Sequence, residues 1–182
     1  MILSDKTIKD YITAGKIKIF PEFNLANIRP AGIRLHLGSE LLIPNAGQTV
    51  DLDANRDVKF DRISISESDF TIKPGQFILG STLEKFQVPR NIVCHVEGRS
   101  TVARIGLALH CTSGIIDGNF EEARTIVLEM KNQGPFDIIL RRGLALAMLS
   151  FTQLSTDIEQ KTQRQYAGQD GVVAPNLRFQ KE

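Results

Sequence analysis

The chain has 182 residues, 42% of them hydrophobic and 24% charged, the balance of an ordinary globular domain. This composition excludes a disordered chain, a coiled coil and a collagen-like repeat. With 22 Lys and Arg against 21 Asp and Glu the net charge is +1, so no overall field draws the protein to nucleic acid or an anionic membrane.

No apolar run approaches the roughly 18 residues of a membrane span, and the start of the chain lacks a signal-peptide pattern. The expected compartment is the cytoplasm. Two cysteines, Cys94 and Cys111, are too few for a disulfide framework. Both lie in apolar segments and are expected to be buried free thiols.

Helix punctuation marks the first segment. Ser4 is placed to cap, Ile8, Tyr11 and Ile12 share a face, and Gly15 followed by Pro21 ends the element. Strand alternation follows at 33–37, 77–81, 92–97, 125–130 and 144–151. Turns are expected at Lys73-Pro74-Gly75, Val88-Pro89, Gln133-Gly134-Pro135 and Arg142-Gly143. The Asp-, Arg- and Ser-rich stretch at 50–69 reads as a surface excursion. Many short strands at close spacing indicate an all-β barrel or jelly roll over 1–155, with a polar C-terminal tail over 156–182.

Three constellations carry chemistry. In Glu97-Gly98-Arg99-Ser100-Thr101-Val102-Ala103-Arg104, two arginines flank two hydroxyls directly after a strand and a glycine. Guanidinium forks, hydroxyls and backbone N–H groups suit phosphate oxygens, although a capped helix start with surface ion pairs has the same composition. In Thr112-Ser113-Gly114-Ile115-Ile116-Asp117-Gly118-Asn119 the last three residues read as a tight turn between two strands, and Asp117 could meet a sugar hydroxyl. Glu129 interrupts the apolar run Ile126-Val127-Leu128. Two readings fit it: a partly buried carboxylate of raised pKa suited to proton transfer, or a side chain pointing to solvent beside Val127. His95-Val96-Glu97 matches part of a zinc-deaminase signature, but the chain has too few cysteines and histidines for the usual zinc site. No zinc is expected.

The order of these motifs closely resembles the dCTP deaminase family of the trimeric dUTPase superfamily. The resemblance rests on 97–107, 112–117 and Ile126-Val127-Leu128-Glu129-Met130-Lys131-Asn132. Leu140-Arg141-Arg142-Gly143, Leu149-Ser150-Phe151 and Tyr166-Ala167-Gly168-Gln169-Asp170-Gly171 extend it, and it covers nearly the whole chain. It implies a distorted jelly-roll barrel with a short N-terminal helix and a flexible C-terminal tail closing over the nucleotide. It also implies a homotrimer with active sites between subunits, dCTP or dUTP as ligand, and Mg²⁺ carried on the triphosphate. Carried over by motif, Glu129 is the general acid/base, Ser100 and Arg104 complete the catalytic set, and Arg99 and Thr101 hold phosphates. Thr112, Asp117, Tyr166 and Gln169 belong to the substrate-binding set, with Arg164 standing in for a lysine that is Gln165 here. The spacing from Asp117 to Glu129 is longer than the family's usual one, with the extra residues within 120–124.

Deamination of dCTP to dUTP and ammonia without a protein-bound metal is the leading expectation. Formation of dUMP, by a bifunctional deaminase or a dUTP pyrophosphohydrolase, is the alternative, since Thr112-Ser113-Gly114-Ile115-Ile116-Asp117 is closer to the dUMP-forming members. A trimeric nucleotide-binding protein without activity is a third reading.

Overall fold

A computed structural model describes residues 1–52, 57–116, 122–159, 166 and 169–177. The opening helix α1 spans Asp5–Thr13, buries Ile8 fully and rests Tyr11 and Ile12 against the core. Ser4 stands at its N-cap, but its hydroxyl meets Thr7 Oγ1 at 3.3 Å and makes no cap hydrogen bond. Gly15, at φ 68°, takes the left-handed turn that ends the element.

Two short strands follow, β1 (Lys18–Phe20) and β2 (Ile28–Arg29). The alternation from Ile33 then continues past the segment read from sequence, and β3 runs over Gly32–Pro44. Part of the expected surface excursion is also a strand. β4 (Phe60–Ser64) pairs antiparallel with 40–44 of β3. Gln48 helps close the intervening loop, donating to Asn45 O at 2.8 Å and Lys59 O at 2.9 Å while accepting from Lys59 N. The polar composition of β4 suits a strand whose outer face meets water.

The remaining strands are β5 (Phe70–Ile72), β6 (Phe77–Thr82), β7 (Lys85–Gln87), β8 (Ile92–Gly98), β9 (Leu107–Ala108), β10 (Ile115–Ile116), β11 (Val127–Asn132), β12 (Ile138–Leu140) and β13 (Ala145–Gln153). A four-residue helix, α2 (Ser100–Ala103), follows β8. One curled antiparallel sheet takes the order β10-β8-β13-β3-β6-β11-β9, with β2 and β4 also on β3, and β1-β7 and β5-β12 form separate pairs. β3 serves both halves of this curl. Its start pairs with β13, its end pairs with β4 and β6, and the register with β6 shifts between Leu37 and Leu41. Gly38 lies in that bend, where an added Cβ would stand 3.0 Å from Ser81 Oγ. The bend folds the sheet over Leu35, Leu37, Ile78, Met130, Leu149 and Phe151, all fully buried. The result is the expected distorted jelly roll.

The strands on either side of the tight turn expected at 117–119 do not pair with each other. β10 pairs with β8, whereas β11 lies between β6 and β9. The turn residues themselves lie outside the described residues. Cys94 is buried as expected, but Cys111 is exposed, because it falls at a bend after β9 rather than within a strand.

A fully buried polar side chain ends β11. Asn132 Nδ2 donates to Phe136 O at 2.7 Å and Ile72 O at 3.1 Å, and its Oδ1 accepts from Gly134 N at 3.0 Å. Gly134 in turn lies against the loop after α2, where a Cβ on Gly106 (φ 84°) would come 2.4 Å from Gly134 N. Replacing Asn132 by Leu would strip the partner from the buried Ile72 carbonyl, at about 1–3 kcal/mol for each group left unsatisfied. We expect Asn132→Leu to lower the free energy of unfolding by at least ~2 kcal/mol, read from chemical denaturation. Stability unchanged in that variant would refute this account of the loop.

Candidate active site

Alternation along β11 turns Leu128, Met130 and Asn132 into the core and Val127, Glu129 and Lys131 away from it. The outward face is not plain solvent. Val127 and Glu129 form part of the wall of an open cavity of about 490 Å³ that Tyr166 and Gln169 also line. Glu129 thus points away from the core and is half-buried in the cavity wall. Its Oε2 accepts from Cys111 N at 3.2 Å, and Cys111 Sγ donates to Glu129 O at 3.3 Å. The segment 111–116 thus runs beside the carboxylate, and Ser113, Ile115 and Ile116 line the same cavity. Thr112 is exposed on that segment and Asp117 lies outside the described residues.

The C-terminal residues close another side. Gln169 Nε2 donates to Thr125 O at 3.0 Å, and Thr125 Oγ1 donates to Gly171 O at 2.9 Å. Tyr166 Oη accepts from Asn176 N at 3.1 Å. Val172 is buried against Leu42 and Leu79, with Arg62 Nη2 donating to its carbonyl at 3.1 Å. Within the expected flexible tail, residues 169–177 are therefore held on the barrel by one apolar anchor and a few hydrogen bonds. Val172 is hidden in the sequence by the polar composition of the tail around it. Arg164 lies outside the described residues.

The arginine-hydroxyl motif stands elsewhere. Arg99 caps α2 and donates from Nη1 to Ala145 O at 2.6 Å, while Ser100, Thr101 and Arg104 are exposed on α2 and at its end. None of the four lines the cavity. One chain thus brings Glu129, Tyr166 and Gln169 together and leaves Arg99, Ser100, Thr101 and Arg104 outside. Ser113 and Arg124, which line the cavity, are absent from the sequence-derived set. Among the described residues, no three His, Cys, Asp or Glu side chains are placed to hold a metal ion.

A family model described as dCTP deaminase-like matches residues 2–154. The chain belongs to this family. It is similar to the dCTP deaminase, dUMP-forming, of Dictyoglomus thermophilum, at 32% identity over 97% of this chain and 95% of that one. It is also similar to the protein of the same name from Aquifex aeolicus, at 34% identity over 100% of this chain and 98% of that one. The 2′-deoxycytidine 5′-triphosphate deaminase structure from Agrobacterium tumefaciens shares the fold, with a TM-score of 0.62 and 20% identity. That match covers 82% of this chain and 47% of the Agrobacterium chain. The names of the first two relatives specify dUMP, which overturns dUTP as the expected end product. The motif at 112–117 carried that signal, outweighed by the match of the rest of the chain to deaminases in general.

The two thiols differ in chemistry. Burial pushes Cys94 up to about 12. Cys111 is also raised, first by partial desolvation and then by the Glu129 carboxylate, with Lys131 opposing. A raised thiol holds less thiolate at neutral pH and alkylates more slowly. Neutralising Glu129 removes one raising charge, so Glu129→Gln should lower the pH midpoint of Cys111 alkylation by iodoacetamide. An unchanged or higher midpoint would show that the carboxylate does not act on the sulfur.

Proposed function

We propose that this protein is a dUMP-forming dCTP deaminase. The observation that carries the reading is a half-buried carboxylate, Glu129, in the wall of a cavity large enough for a nucleotide, within a chain of this family. Water is added to C4 of the cytosine as Glu129 takes one of its protons. The same carboxylate passes that proton to N3 and then moves the hydroxyl proton to the amine, which leaves as ammonia. A second water then attacks the α-phosphorus and pyrophosphate departs, leaving dUMP. Asp117 is assigned to the sugar and to the water of this second step.

Glu129 is the only carboxylate lining the cavity among the described residues, so it offers no all-protein cage for a divalent cation. Mg²⁺ is assigned to the substrate, carried on phosphate oxygens. Tyr166 packs near the nucleotide and Gln169 donates to the terminal phosphate, with the C-terminal segment excluding bulk water.

The exposure of Ser100, Thr101 and Arg104 supports a homotrimer. They do not line this chain's own cavity, and in a homotrimer their hydroxyls and guanidinium meet the Glu129 cavity of a neighbouring copy, where they polarise the attacking water and stabilise developing charge. Glu129→Gln and Ser100→Ala should each be inactive alone by about 10²-fold or more. Dissociated together and reassembled in equal amounts, they should recover about a quarter of wild-type activity, the share of interfaces with both residues intact. No recovery in verified mixed assemblies would place the site within one chain.

The direct test is incubation of the purified protein with dCTP and Mg²⁺, followed by separation of the nucleotides. We expect dUMP, ammonia and pyrophosphate in equal amounts. Accumulation of dUTP without dUMP, or no product, would overturn the reading.

A further inference from the structure

Among the described residues the cavity wall carries two charged side chains, Glu129 and Arg124. Arg124 belongs to none of the motifs that mark the site. It is 8% exposed, and a guanidinium keeps its charge when buried, unlike a lysine. Its backbone is fixed by a reciprocal pair of hydrogen bonds, Arg124 N to Phe86 O at 3.1 Å and Phe86 N to Arg124 O at 2.8 Å. Beyond it, Ile126 N donates to Thr82 Oγ1 at 3.0 Å. The residue is thus presented from a held backbone.

Its place along the wall indicates what it meets. Arg124 lies five residues before Glu129, up to about 16 Å along extended chain. Thr125, next to it, accepts the Gln169 side chain. A nucleotide with its base at Glu129 and its terminal phosphate toward Gln169 lays its phosphate chain along the Arg124 end of the cavity. The planar fork suits two phosphate oxygens at once.

We propose that Arg124 is a phosphate-binding residue of this cavity and makes the site prefer nucleoside triphosphates over nucleosides. This rests on the reading of the cavity as a deoxynucleotide site. The test is calorimetric binding of α,β-imido-dUTP with Mg²⁺, and of deoxyuridine, to the full chain, to Arg124→Gln and to Arg124→Lys. Circular dichroism reports whether each variant is folded, and the wild-type product assay runs in parallel. Arg124→Gln should weaken triphosphate binding by at least about 10-fold and leave deoxyuridine binding unchanged. Arg124→Lys, which keeps the charge and the apolar stem but loses the fork, should show a smaller loss in the same selective sense, and it decides the matter if the Gln variant does not fold. Triphosphate affinity equal to wild type in the folded variants, or equal losses for both ligands, would overturn the proposal. If wild-type protein makes dUMP but the variants bind triphosphate normally, Arg124 falls and the functional reading stands. If wild-type protein makes no dUMP yet loses triphosphate selectively on substitution, the functional reading falls and Arg124 stands. Wild-type protein that binds no triphosphate would sink both.

Discussion

The site depends on the register of β11, and that register is pinned at its end by Asn132. A buried amide is costly unless both its donor and its acceptor are used, and Asn132 uses both, joining β5, the 133–136 loop and its own strand. A slip of one residue would leave the amide facing away from these partners and turn Glu129 into the core. The same loop approaches Gly106, with Gln133 N donating to Gly106 O at 2.7 Å. One polar side chain thereby sets both the carboxylate and the base of the segment bearing Arg104.

The cavity is built from segments distant in sequence. β11 supplies Glu129 and the residues just before it supply Arg124, 113–116 runs alongside, and 169–177 crosses from the far end of the chain. The ion pairs of the C-terminal segment and its rim, Lys85 with Asp170 at 2.7 Å and Arg62 with Glu40 at 2.6 Å, are between exposed or half-exposed groups. Such pairs contribute ~0–1 kcal/mol each. Burial of Val172 does more to hold this segment, about 1.5–3 kcal/mol on transfer grounds.

The elements with long apolar alternation were legible in the sequence, and so was the family. α1, β3, β6, β8, β11 and β13 fall on or close to the patterns that mark them. β4 was not, because Phe60-Asp61-Arg62-Ile63-Ser64 carries polar residues on an exposed face and resembles a loop locally. The tight-turn motif at 117–119 says that the chain reverses, not which strand it then joins, so the separate partners of β10 and β11 were not legible from it. At Glu129 the alternation gave the correct face but not what covers it, since that depends on the segment 111–116 and on Tyr166 and Gln169, all distant in sequence. Arg124 was hidden for a similar reason, its local sequence Glu121-Glu122-Ala123-Arg124 resembling an exposed turn.

The seat of Val172 has a further consequence for shape. Its side chain packs with Leu42 and Leu79, against Phe60, Phe77 and Val127. Four of these neighbours, Phe60, Phe77, Leu79 and Val127, also line the cavity. One small apolar cluster therefore faces two ways, seating the C-terminal segment on one side and forming cavity wall on the other. A larger side chain at 172 would press on that wall, and a smaller one would leave a gap behind it. The seating of the last described residues and the shape of the cavity are thus tuned together.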